Sequence, residues 1–250
     1  MIRTLLIITG ASLVLCAAAA AGAVAIGGRD LAAHGWTWTF DDDDGAPHTV
    51  HFQRGESGPN VTRTLAWTGT DRLGVEVPGD VTYVQGPTAS VVVTGPQSLV
   101  DRVRMIDGRI TYDDTPNEDR VVFGWNVNNG LKIKVTAPSV RTFDLDSSAD
   151  LAIRDYDQPS LGVNVSGSGE VDANGRARAV TVNLSGSGEV DLSDVETVDA
   201  DIDIDGSGEV SAGPTGAARI SIAGSGDVHL TRRPASLSQQ VAGSGEIRQD

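Results

Sequence analysis

The chain has a single cysteine, Cys16, and it lies in an apolar N-terminal run. No disulfide can staple the rest of the chain, so packing and ladder hydrogen bonds must hold it together. Aromatic residues make up only 4% of the sequence, which excludes a conventional core built on large rings. Lysine occurs twice, at Lys132 and Lys134, and 19 basic residues face 34 acidic ones for a net charge of −15. Such a surface repels nucleic acid and anionic lipid, so neither is an expected partner. What the chain has instead is glycine, 30 residues of it, placed with a period.

The first 28 residues read as an export leader. Arg3 supplies the positive end, Leu5 to Cys16 is almost unbroken apolar sequence, and Ala17 to Ala25 offers small-residue cleavage sites such as Ala21-Gly22-Ala23. Cleavage places the remainder outside the cytoplasm. An uncleaved anchor is the alternative, since Leu5 to Ile26 is long enough to cross a bilayer, and it would be the chain's only membrane contact. A lipoprotein signal ending at Cys16 is a third reading, against which Leu15 stands where such signals carry a small residue.

The period is set by a turn, G-S-G-acidic-aliphatic, which occurs five times: Gly167 to Val171, Gly186 to Val190, Gly206 to Val210, Gly224 to Val228 and Gly243 to Ile247. The spacings of 19, 20, 18 and 19 residues are those of a solenoid. Weaker copies end at Leu151 and, twenty residues earlier, at Leu131. Before each turn the apolar residues alternate as a strand requires: Leu161, Val163, Val165, then Val180, Val182, Leu184, then Ala200, Ile202, Ile204, then Ala218, Ile220, Ile222. In the last copy Gln239 stands between Leu237 and Val241, which reads as a polar cap.

The expected fold is therefore all-β, a single-stranded parallel β-helix with coils of about 18 to 20 residues. The turn glycines, Gly167 and Gly169, Gly186 and Gly188, Gly206 and Gly208, Gly224 and Gly226, Gly243 and Gly245, are expected at corners where positive φ or close stacking excludes a Cβ. Seven such coils would form a rod, preceded by a short β-rich cap.

The repeated SGSGEV, the strand triplets before it and the upstream VEVPGDVTYVQGPTASVVVTGPQSLVDRV resemble the head GIN domain family of bacterial envelope proteins, labelled auto-transporter adhesins. The resemblance covers roughly residues 73 to 250. It implies a right-handed β-helix outside the cytoplasm. The sequence has no room for a C-terminal translocator barrel, so secretion as a true autotransporter is not expected.

The expected division is a leader or anchor over 1–28, a linker or arm over 29–72, a β-rich N-terminal part of the head GIN domain over 73–143, and solenoid repeats over 144–250. Short strands are expected near 73–77, 81–84, 90–94, 109–112, 121–125 and 131–136, with a helix over 95–105 that turns Leu99, Val100 and Val103 inward.

Possible chemistry is sparse. The acidic residue of each turn, Asp150, Glu170, Glu189, Glu209, Asp227 and Glu246, should stack into one column. A calcium ladder is imaginable there, but calcium-binding β-roll repeats use a nine-residue period, and a solvated acidic face is the simpler reading. Asp201, Asp203 and Asp205 belong to the same argument. Arg176, Arg178, Arg219, Arg232 and Arg233 are scattered near turns and could pair with the column. His48 and His51, beyond Asp41 to Asp44, would need a turn to converge on a metal, and His229 should simply face solvent. Trp36, Trp38 and Phe40 alternate and would suit a glycan-binding patch or a membrane-proximal spacer. β-Helical lyases and hydrolases work from a cleft with paired acids on long loops, and the turns here are short.

The sequence thus points to a non-enzymatic, cofactor-free module of the cell surface or periplasm that binds an envelope or surface ligand, glycan or protein. A periplasmic structural or sensory protein is the alternative, and a carbohydrate-active enzyme the less favoured third.

Overall fold

The computed structural model describes residues 36–41, 47–53, 59–113, 119–122 and 130–250, and the side chains of 59–113 and 130–250. The leader, Cys16 and Asp42 to Asp44 lie outside these residues. So do the side chains of Trp36, Trp38, Phe40, His48 and His51.

Two compact units form. In the smaller, β1 (Trp36–Asp41) pairs antiparallel with β2 (Pro47–Gln53), and β9 (Asp119–Val122) joins β2 in parallel. These strands include part of the stretch that the sequence presents as an arm.

The larger unit is a β-solenoid of about five turns. Its long windings are β12 (Asp150–Gly167), β13 (Glu170–Gly186) and β14 (Glu189–Gly206), stacked in parallel register. The stack continues through β15 (Glu209–Pro214) and β16 (Ala217–Gly224), then β17 (Asp227–Leu230) and β18 (Ser236–Gly243), then β19 (Ile247–Gln249). Near-equal coil lengths keep the register, the odd residues being taken up at bulges, so that Gly167, Gly186, Gly206, Gly224 and Gly243 lie one above another. A bulge bends each long winding once more, at Ile153/Tyr156, Asp172/Asn174 and Leu192/Thr197.

The alternating apolar residues fill the interior. Leu161, Val163, Val165, Val180, Val182, Leu184, Ile202, Ile204, Ile220 and Ile222 are all buried in one continuous core. Rings close the lower part of that core: Phe143 meets Tyr83 edge-on at 5.0 Å and Tyr156 at 6.1 Å. The phenols remain satisfied, Tyr83 donating to the Ala137 carbonyl at 2.8 Å and Tyr156 to the Ser160 carbonyl at 2.6 Å.

Beneath the glycine-turn coils the order departs from the sequence period. The weak copy near Leu131 is not the next coil below Asp150. That place belongs to β5 (Asp80–Gln85), with Asp80 opposite Asp150, while β4 (Arg72–Val75) lies under β11 (Thr142–Leu145). β10 (Lys132–Ala137) pairs the far side of β5 in parallel and β6 (Ser90–Pro96) antiparallel, and β3 (Asn60–Leu65) joins β6. The chain therefore lays one coil, makes an excursion, and returns to stack on it. The helix expected over 95–105 is one turn, α1 (Gln97–Val100), because β7 (Val103–Ile106) pairs instead with β8 (Arg109–Tyr112). Val100 and Val103 are buried all the same.

Candidate functional site

The side chains that leave the solenoid form columns, because parallel in-register coils repeat every outward position about 4.8 Å further on. The acidic column of the turns is one of them. Asp150, Glu170, Glu189, Glu209 and Asp227 occupy consecutive rungs, and the Glu246 amide donates to Asp227 Oδ1 at 2.8 Å. The column extends further than the sequence period indicates, through Asp80 to Lys132. Its rungs are held by backbone: the Glu189 amide donates to the Gly169 carbonyl at 3.1 Å and the Glu209 amide to that of Gly188 at 3.1 Å.

Partial burial raises the pKa of Glu189, and the charges of Glu170, Glu209 and Asp191 push it the same way. At the last rung the sign reverses, because the Arg248 guanidinium donates to Glu246 at 2.7 Å and lowers its pKa. The adjacent outward column holds Asp172, Asp191, Ser211, His229 and Arg248. Arg154 pairs with Asp172, and His229 Nε2 lies 3.1 Å from Asp250. Among the described residues no group of three or more His, Cys, Asp or Glu converges so as to hold a metal ion.

A second polar line runs up the strands that precede the turns. Asp144 is buried and receives both Nε and Nη2 of Arg72. Asn164 donates to Asp144 at 2.8 Å and Asn183 donates to Asn164 at 2.7 Å, with Asp203 on the next rung. The carboxylate raises the pKa of Arg72 through its hydrogen bond and its charge.

The arginines do not go where the sequence places them. None of Arg176, Arg178, Arg219, Arg232 and Arg233 forms an ion pair with the turn column among the described residues. Arg219 stacks against Asp201 on another face. Arg176 lies between Asp157 and Glu196, 3.9 Å from the Asp157 carboxylate. Together with Arg178 and Arg232 it lines a shallow groove of about 630 Å3 along the windings just after the bulges, with Pro159 and the 44% exposed Val198. Sequence reasoning missed this groove because equivalent positions of successive coils carry different residue types along it, Asp157, Arg176 and Glu196 in one column and Gln158, Ala177 and Thr197 in the next, so no repeated letter marks it.

No curated protein matches the chain. Among solved structures the chain is similar to a putative adhesin from Bacteroides fragilis NCTC 9343, at 18% identity and a TM-score of 0.60, over 76% of this chain and 97% of that one. It is also similar to a putative lipid binding protein from Parabacteroides distasonis ATCC 8503, at 20% identity and a TM-score of 0.53, over 80% and 99%. At these identities the likeness concerns the fold. The family model described as "Putative auto-transporter adhesin, head GIN domain" matches residues 71–234, most of the solenoid, and the chain belongs to that family.

Proposed function

We propose that the chain is an exported, non-enzymatic β-solenoid that acts as an adhesin-like binding module of the cell envelope, with a surface glycan or protein as its ligand. The observation that carries this reading is the acidic turn column, Asp150, Glu170, Glu189, Glu209 and Asp227, which repeats the same chemistry rung after rung along a solenoid of about five turns. A catalytic site needs a few unlike groups fixed at one point, whereas a repeating face suits an extended or multivalent partner. Membership of an adhesin family supports the same reading.

Protease shaving of intact cells carrying a C-terminally tagged copy, with a lysed control, tests it. Loss of the tag from intact cells is the expected result. Protection until lysis would overturn the adhesin reading in favour of a periplasmic structural or sensory role.

A further inference from the structure

We propose that the groove lined by Arg178 and Arg232 is a binding site for an acidic polysaccharide strand laid along the solenoid axis, a proposal that rests on the reading of the chain as a binding module. Several arginines of the described residues have no carboxylate partner, Arg219 and Arg233 among them, but Arg178 and Arg232 are the two of these that line one groove. Among the described residues neither Arg178 nor Arg232 has a carboxylate within ion-pairing distance, although both are exposed beside the same groove. The groove's own acids, Asp157 and Glu196, occupy the rungs on either side of Arg176, which offsets one of their two charges, so the lining's three arginines leave it a net charge of +1. Within that lining the guanidiniums of Arg178 and Arg232 are the ones without an ion pair.

Their separation and the groove's shape select the ligand. From Arg178 the rungs run to Val198, to Thr215, whose amide donates to the Thr197 carbonyl at 3.3 Å, and to the coil of Arg232, where the Thr231 amide donates to the Ala212 carbonyl at 2.9 Å. Three coil steps put roughly 14 Å between the two backbones. No single carboxylate or phosphate spans that distance, but an extended chain with charges at intervals does, and guanidinium is the cation suited to carboxylate. Val198, on the coil between the arginines, and Pro159, on the coil on the other side of Arg178, present small apolar surfaces of the kind that pack against the C–H face of a sugar ring. The groove is too shallow to bury acyl chains, which argues against a lipid. The backbone groups along it are occupied by neighbouring coils, so a peptide would find no strand edge to extend.

The test is binding of hexagalacturonate to the purified full-length chain, with maltohexaose as the neutral counterpart. The wild type is expected to bind the uronate and not the glucan, more weakly as salt rises from about 50 to about 200 mM. The double variant R178Q/R232Q should bind at least about tenfold less tightly, and R219Q, on another face, should bind as the wild type does. Unchanged melting of the double variant separates lost contact from lost fold. Absence of uronate binding, equal binding of maltohexaose, equal binding of poly-glutamate or phosphatidylglycerol vesicles, or full binding by R178Q/R232Q would each overturn the proposal. The shaving result is independent of all these outcomes, because protection of the tag would relocate the groove without altering what it binds.

Discussion

Two glycines in one turn can be required for different reasons. Gly206 has φ +140°, and a Cβ there would run into the Gly186 carbonyl of the coil below, so it is excluded both by conformation and by space. Gly188, the second glycine of its turn, has ordinary φ, yet a Cβ would lie 2.6 Å from the Gly169 carbonyl oxygen and 3.0 Å from Val165. Gly162 is the useful contrast, with ordinary φ and its nearest neighbour at 3.6 Å. Gly206→Ala is therefore expected to cost at least about 2 kcal/mol, and Gly162→Ala to change stability by less than about 0.5 kcal/mol, both read from urea denaturation. At the acidic rung, Glu189 has its pKa raised, chiefly by burial and then by its acidic neighbours, so the folded state favours the protonated form. That contribution is fully present below the unfolded carboxyl value near 4.5 and is lost as pH rises through the higher folded value. Glu189→Gln should then raise the melting temperature at pH 7, and the gain should vanish near pH 3, the measurement being a pair of melts at the two values.

A winding is held by what runs across coils as much as by what runs along it. The line from Arg72 through Asp144, Asn164 and Asn183 crosses four strands, and Asp144 alone accepts three of its hydrogen bonds. Asp144→Ala leaves Asn164 without its acceptor and Arg72 without its partner, at a cost of about 1–3 kcal/mol by chemical denaturation. Asp144→Asn should cost less, because an amide oxygen can still accept one of the bonds. This line illustrates how far the elements were legible in the sequence. Where a turn recurs with the same letters, as from Gly167 to Ile247, period and apolar alternation fix coil, register and inward set, since a slip of one residue would turn Val182 and Ile202 out to solvent. The coil made by β4 and β5 escaped, although Gly79-Asp80-Val81 carries the glycine-acidic-aliphatic signal and Gly79 has φ +139°. It stacks under β11 and β12, whose paired residues follow 70 residues later, and a search for a constant period does not look across such an excursion. The helix over 95–105 failed because its apolar spacing also suits a strand, and pairing with β8 decided between them. The arginine groove was illegible for a third reason: Arg178 and Arg232 share no repeat position, and only the folded windings bring them to one side.

For the solenoid unit as a whole, stability is a sum of coil energies and interfaces between neighbouring coils, so it need not be uniform along the axis. The central windings β13 and β14 have partners on both edges, and Val182, Leu184, Ile202 and Ile204 are fully buried between them. β18 pairs with β16 on one edge, and the described residues place no strand on its other; there Val241 is 41% exposed, Gln239 occupies an inward position, and Leu237 is only partly covered. Each coil buries a handful of aliphatics worth about 1.5–3 kcal/mol apiece when fully covered, so a coil that exposes its share is held chiefly by its ladder to one neighbour. Amide exchange should accordingly be slowest in β13 and β14 and fastest in β18 and β19, with protection falling coil by coil rather than all at once. Gln239→Val sharpens the expectation. It restores the inward aliphatic opposite Ile220, and protection should rise in β18 and in its neighbour β16 while β13 stays as it was. Uniform exchange across all coils, or a rise in β13 equal to that in β18, would mean that the windings unfold as one block and that the coil-by-coil description is wrong.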